Sequence, residues 1–277
     1  MPAHGRVDLH LHTTASDGTL AADAVVELAA RAGIETLSIT DHDSVAALPL
    51  ATATAARLGV RCLPGVEISA SVDGLSVHIL GYCMDPATPG FGERLEWYRS
   101  ARLARARAIV ERLAELGIEI SFERVCAIAG DGAVGRPHIA EALLEAGQVT
   151  LFQEAFDRYI GVHAPAYVPR PRIDPADAIT LVRHAGGLAG LAHPGTLHHD
   201  AWIPPMVEAG LEAIEVWHPR HDAARVRRYA TMARELGLIA TGGSDFHGGH
   251  RGDSQIGEQP VPARVVEELE ARAALRE

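Results

Sequence analysis

The rhythm of this chain is what most restricts its fold. Short apolar runs alternate with amphipathic helical stretches, the pattern of repeated βα units. Strands are expected at Val7–Leu11, Thr36–Thr40, Val60–Val66, Ser76–Tyr82, Leu188–Ala192, Ala213–Trp217 and Ile239–Gly242. Helices are expected between many of them, at Ala22–Ala32, Ser44–Leu58, Ala176–Ala185, Ile203–Ala209, Asp222–Leu236 and Pro262–Arg276. Gly33, Gly59, Gly186 and Gly237 stand where a helix must stop before the next strand. Seven such strands with covering helices predict an α/β fold, a closed or nearly closed parallel barrel rather than an open sheet.

The rhythm breaks between residues 85 and 171. Phe91–Leu116 reads as one long Arg-rich helix, followed by helical stretches at Phe122–Ala129, His138–Ala146 and Leu151–Tyr159 with no strand-like run among them. A proline-rich segment, Ala164 to Pro171, then leads back to the barrel. This divides the chain into a barrel of residues 1–84 and 172–277 and an inserted helical subdomain of residues 85–171. A length of 277 residues suits one such domain with an insertion.

Composition excludes several chemistries. All 25 basic residues are Arg, so a Schiff-base or P-loop lysine is impossible. A net charge of −11 argues against a broad duplex-binding footprint. Cys62, Cys83 and Cys126 are scattered and odd in number, which suggests neither a disulfide framework nor a thiolate metal site. No apolar run approaches the ~20 residues of a membrane span, and Met1–His4 carries no export signal, so a reducing cytoplasm is the expected compartment and no membrane or obligate protein partner is evident. An anionic substrate would have to be held by Arg or by metal ions. The 15 His point to metal.

The polar residues of interest cluster at strand ends. His10 and His12 are two apart, so both leave one face of an extended segment. Asp17 lies in the first loop, His42 follows the second strand, Glu67 the third, and His78 lies within the fourth. His193 ends the fifth strand, Glu215 and His218 bracket the end of the sixth, and Asp245 and His247 follow the seventh. Singly each has an ordinary explanation: Asp17-Gly18 is a turn, Asp41 or Asp43 a helix cap, and His78 a packed histidine. His184, His198, His199, His221 and His250 lack such positions and are expected to be structural. In a parallel barrel the strand ends meet on one rim. His with carboxylate and no thiol suits Mn²⁺, Zn²⁺ or Fe²⁺, and nine ligands imply two to three divalent ions. With Asp17, Glu67 and Asp245 as the anions, three ions would leave a charge of about +3, enough to bind a phosphate and activate a water.

The motifs His10-Leu11-His12, Ser16-Asp17-Gly18, Thr40-Asp41-His42-Asp43, Gly65-Val66-Glu67, His193-Pro194 and Gly243-Ser244-Asp245-Phe246-His247 resemble, in order, those of the PHP (polymerase and histidinol phosphatase) family. The resemblance implies a distorted (β/α)7 barrel with a trinuclear metal centre that hydrolyses phosphoesters; Mn is the expected metal, with Zn or Fe as alternatives. By the same resemblance His10, His12, Glu67 and Asp245 would hold one ion. Glu67 would bridge to a second held by His78 and His193, and Asp17, His42 and His247 would hold the third. Asp17 stands where some members use His.

The insertion, with Arg99, Arg102, Arg105, Arg107 and the segment Gly135-Arg136-Pro137-His138, resembles the branch that removes the 3′-phosphate from nucleoside 3′,5′-bisphosphates and trims short single-stranded RNA from the 5′ end. Arg99, Arg102 and Arg136 would then bind the second phosphate, and His218 would be the general acid. Arg99 and Arg102 share one helix face, and an Arg fork fits a phosphate bidentately. A histidinol-phosphate phosphatase, needing one phosphate pocket, and a non-catalytic metal-binding module are the competing readings.

Overall fold

A computed structural model describes residues 6–169, 173–248 and 255–276. The N-terminal Met1–His4, the Arg170-Pro171 end of the proline-rich segment, the 171/172 boundary and His250 lie outside these residues.

The first half-barrel runs β1 (Arg6–Leu11), α1 (Ala22–Arg31), β2 (Ile34–Ile39), α2 (Leu48–Leu58), β3 (Arg61–Val72) and β4 (Leu75–Tyr82). The insertion follows as α3 (Phe91–Glu115), α4 (Phe122–Ala129), α5 (Arg136–Glu145) and α6 (Phe152–Ala155), the last passing into a wider π turn over Phe156–Ile160. The chain closes with α7 (Pro175–His184), β5 (Leu188–Leu191), α8 (Ile203–Glu208), β6 (Ala213–Trp217), α9 (Ala223–Leu236), β7 (Ile239–Gly242) and α10 (Arg264–Ala273). The strands form one seven-stranded sheet in sequence order. The insertion contains no strand among the described residues.

One expectation is corrected. The sheet is not parallel throughout, because β4 runs antiparallel to both β3 and β5. The cause is local. Asp73 and Gly74, both at positive φ (50° and 78°), make a two-residue hairpin turn, the Asp-Gly signature of tightly paired antiparallel strands. The third strand therefore runs on to Val72 rather than ending at Val66, and Glu67 sits inside it. The second helix likewise starts at Leu48, not Ser44, since Asp43 turns the chain at φ 51°.

Alternation along the hairpin separates two faces. Val66, Ile68, Ala70, Val77 and Ile79 pack outward against the covering helices, and Glu67, Ser69 and His78 face the other way. Burying the outward set contributes roughly 1.5–3 kcal/mol per large side chain. A separate apolar cluster holds the insertion together, with Ile109 and Leu113 of α3 against Val125, Ile139 and Leu143. The N-terminal part of α3 instead gives Phe91, Leu95 and Tyr98 to the barrel core, so one helix enters both cores. The barrel is nearly closed: β1 and β7 meet through a bridge between Leu11 and Phe246, with His12 N–H donating to Phe246 O at 2.9 Å. Gly243 permits this approach, since a Cβ there would lie 2.5 Å from the backbone nitrogen of His10.

Candidate metal centre

The structure brings all nine expected ligand residues to one end of the barrel around Glu67, which is 1% exposed. Its Oε2 lies 3.3 Å from His10 Nε2, 3.2 Å from His12 Nε2 and 3.0 Å from His42 Nδ1. Its Oε1 lies 2.8 Å from His78 Nδ1 and 3.1 Å from His193 Nε2. The antiparallel hairpin is what brings His78 there, by pairing it with Ser69, two residues beyond Glu67 on the same face. Asp245 Oδ1 is 3.3 Å from Nε2 of both His10 and His12. Asp17 Oδ1 is 3.3 Å from His247 Nε2 and 4.0 Å from His42 Nε2.

This convergence fits divalent metal. His10 Nε2, His12 Nε2 and His42 Nδ1 are buried and find no well-aligned hydrogen-bond partner among the described residues, although one carboxylate oxygen lies beside all three. Buried polar atoms are rarely left so. Donor atoms fall into three overlapping groups able to hold an ion: His10, His12 and Glu67; His42, Glu67 and His78; and His12, Asp17, His42 and His247. Histidine with carboxylate is the donor set of Mn, Fe and Zn sites.

Electrostatics agree. Burial pushes the Glu67 carboxyl up, but His42, His78 and His10 pull it well below the usual range. Asp17 and Asp245 are held low in the same way, mainly by His247 and by His10. All three are therefore anions. Burial lowers the His12 pKa, yet Asp245 and Glu67 raise it to about 10.

Surrounding groups orient the ligands. Glu215, fully buried, places Oε1 2.9 Å from His10 Nδ1 and accepts from His193 N–H at 2.7 Å. Such contacts fix which ring nitrogen faces a metal. Asp41 accepts from Thr13 N–H (2.7 Å) and Ser16 Oγ (2.6 Å), holding the loop that carries Asp17. Asp43 accepts from Ser69 N–H at 2.8 Å. Neither caps the following helix, whose N-cap is Ala47. His193 (φ 30°), Asp245 (φ 52°) and Asp43 (φ 51°) all hold left-handed backbone, strain of a kind that collects at functional sites. His221 is structural as expected: its Nδ1 lies 2.9 Å from Val216 O, and its Nε2 accepts from Gly195 N–H.

A cavity of about 720 Å³ opens from Asp17, His42, Glu67 and His78 to Arg102, Arg105 and Arg136 of the insertion. The structure brings Arg102 and Arg136 to it. Arg99 is not among its lining residues and instead donates to Asp131 O at 3.1 Å. Arg105 and Arg136 are paired with no carboxylate among the described residues. Their guanidinium groups reach Val168 O (2.8 Å) and Ile160 O (3.3 Å) and lie near the rings of Tyr167 and Phe156. Burial, and for Arg105 the charge of Arg136, disfavours their ionised forms. His218 also lines the cavity; Arg220 N–H donates to its Nδ1 at 3.1 Å, so its proton stays on Nε2, 3.2 Å from Asp245. Arg220 also lines the cavity beside His218 and was not singled out from sequence, where no spacing or motif marks it.

Comparison with known proteins extends this geometry. The chain is 37% identical over 247 residues to the 5′-3′ exoribonuclease Rnm of Salmonella typhimurium, covering 87% of this chain and 84% of that one. It is 34% identical over 278 residues to a 3′,5′-nucleoside bisphosphate phosphatase of Chromobacterium violaceum, covering 96% and 97%. It is 36% identical over 255 residues to a phosphoribosyl 1,2-cyclic phosphate 1,2-diphosphodiesterase of Eggerthella lenta, covering 87% and 94%. A candidate metal-dependent phosphoesterase from Bifidobacterium adolescentis superposes with a TM-score of 0.90 at 32% identity, covering 98% of each chain. The PHP domain model matches residues 8–199, and the fold returns Glu215, His218, Asp245 and His247 to the same rim from beyond that span. With well over half of its length matched and near-full-length relatives above 30% identity, the chain belongs to the PHP family and is a hydrolase of phosphate esters.

Proposed function

We propose that the protein removes the 3′-phosphate from nucleoside 3′,5′-bisphosphates such as pAp, giving the 5′-monophosphate and inorganic phosphate. The observation that carries this reading is the pair of half-buried arginines, Arg105 and Arg136, left without a carboxylate in the same cavity as the histidine–carboxylate cluster. In a chain of net charge −11, two like charges desolvated side by side call for an anion. A second phosphate supplies it.

His10, His12, Glu67 and Asp245 would hold one divalent ion, Glu67, His78 and His193 a second, and Asp17, His42 and His247 a third, with Mn the preferred metal. Such ions supply Lewis-acid stabilisation of the reacting phosphate and an activated water. Glu215 fixes the His10 ring through its Nδ1. His218, at the cavity wall, would serve as acid for the leaving 3′-oxygen in its imidazolium form, passing on the Nε2 proton once Nδ1 has gained one in place of its contact with Arg220 N–H. Arg105 and Arg136 hold the remote 5′-phosphate, Arg102 being already engaged by Asp43, and Phe152 and Phe156 offer apolar surface to the nucleoside. Binding energy from the remote phosphate positions the reacting one. The same cavity would admit the 5′-terminal nucleotide of a short RNA, and one relative is named as a 5′-3′ exoribonuclease. Residues 85–171 act on this reading as the substrate-binding subdomain. The deciding experiment is a kcat/KM comparison with Mn²⁺ on a nucleoside 3′,5′-bisphosphate, a 5′-phosphorylated oligoribonucleotide, a cyclic phosphodiester and histidinol phosphate. The bisphosphate should be preferred; preference for histidinol phosphate or the cyclic diester would overturn the assignment.

A further inference from the structure

We propose that the helical insertion is a positioning element for the metal cluster, clamping through Arg99, Arg102 and Gly132 the two loops that carry Asp17 and His42. This rests on the reading of those residues as metal ligands, and it gives two arginines that sequence assigned to substrate a different task.

The clamp has two jaws, both held from one face of α3. At the first, Arg102 reaches across to the barrel. Its Nε donates to Asp43 Oδ2 at 2.5 Å and its Nη2 to Ser69 Oγ. Asp43 is fully buried, adjoins His42 and sits at φ 51°, a left-handed conformation that costs a non-glycine residue some energy and that its contacts here hold in place. The restraints here are Asp43 N–H donating to Glu67 O (2.9 Å), Ser69 N–H donating to Asp43 Oδ1 (2.8 Å), and Arg102. Two of the three partners lie on the barrel; the third comes from the insertion.

At the second jaw, Arg99 donates to Asp131 O and so supports the turn after α4. Gly132 of that turn is pressed onto the first barrel loop. A Cβ there would lie 2.6 Å from both Thr14 O and Ser16 O, and Ala133 N–H donates to Ala15 O at 3.2 Å. Asp17 directly follows Ser16. Asp41 grips the same loop from the barrel side, so the Asp17 backbone is held between barrel and insertion. Asp17 and His42 share a single donor group with His12 and His247. Loosening either jaw should therefore weaken that ion, while the group of His10, His12 and Glu67, carried by β1, the residue that follows it and β3, keeps its geometry.

The test measures metal rather than turnover. Gly132→Ala alters the fit without changing any charge or ligand, and Arg102→Lys keeps the charge but loses the two-pronged reach. Purified wild type and variants are passed into metal-free buffer for elemental analysis, titrated with Mn²⁺ by calorimetry, and melted to verify folding. Wild type should retain more ions per chain than either variant. Each variant should fold and show one Mn²⁺ class weakened ten- to a hundredfold, the size typical of losing an outer-shell support. Combining either variant with His247→Ala should release no further ion, identifying the site. Excess Mn²⁺ should restore kcat. Wild-type stoichiometry and affinity in both folded variants would overturn the proposal while leaving the ligand assignment intact. Equal weakening of every ion would also overturn it, as would a wild type that binds no divalent metal, and the latter alone would remove the metal reading too.

Discussion

Replacing Arg136 by Ala tests the substrate assignment most directly. Its guanidinium is partly desolvated, 5.7 Å from the centre of the Phe156 ring and 6.0 Å from that of Tyr167, with a 3.3 Å hydrogen bond to Ile160 O. No carboxylate neutralises it among the described residues, and Arg105 and Arg102 add repulsion. Truncation removes this strain in the free protein, so thermal stability should stay unchanged or rise slightly. With a bisphosphate bound, the same truncation removes a charge-assisted contact of ~1.5–3 kcal/mol, or roughly ten- to a hundredfold in kcat/KM. A 3′-monophosphate lacking the remote group never made that contact and should lose less than threefold. Steady-state phosphate release on the matched pair of substrates, with Mn²⁺ saturating, measures both numbers. Equal losses on the two substrates would refute the reasoning, placing Arg136 at the reacting phosphate. No loss on either would make it a structural arginine. Arg105→Ala should repeat the pattern, and the double variant should lose less than the sum, since both contact one anion.

Chelation, His10→Ala or Asp245→Ala should each abolish hydrolysis while leaving the circular dichroism of the barrel intact, and Mn²⁺ should restore the chelated wild type; full turnover by verified metal-free protein would exclude the metal reading. Glu67→Gln should cost more than one ion per chain by elemental analysis, because both carboxylate oxygens face histidine nitrogens within 3.3 Å; loss of one ion or none would mean that Glu67 does not bridge. Metal uptake should depend on pH in a defined direction. Without metal, His12 keeps its proton up to about 10, so at neutral pH an ion must displace it. Asp17, Glu67 and Asp245 are already ionised and release nothing. Apparent Mn²⁺ affinity should accordingly climb with pH from 6.5 toward 9 and proton release should accompany binding; a flat profile would show His12 neutral or uninvolved.

Much of this architecture is readable from local pattern. Strand periodicity and helix-stopping glycines are nearest-neighbour effects, so seven strands and the helical break after the fourth can be seen without a structure. The His10-x-His12 pair needs only the two-residue repeat of an extended chain to share a face. Strand direction is less forgiving. Asp73-Gly74 was a legible hairpin signal, but the βα rhythm around it favoured a parallel reading, and the turn won because a two-residue loop leaves no room for a crossover. That reversal places His78 against Glu67. The partners of the arginines were not legible at all. Arg99 and Arg102 share a helix face by spacing, yet whether that face meets substrate, solvent or another loop depends on groups 32 and 59 positions away in the chain. Likewise, nothing local distinguishes Glu215 as the support of His10, 205 positions off. Spacing determines which side chains leave the same surface; only the nearly closed barrel and the docked insertion determine what they find there, because those contacts depend on how distant segments pack together.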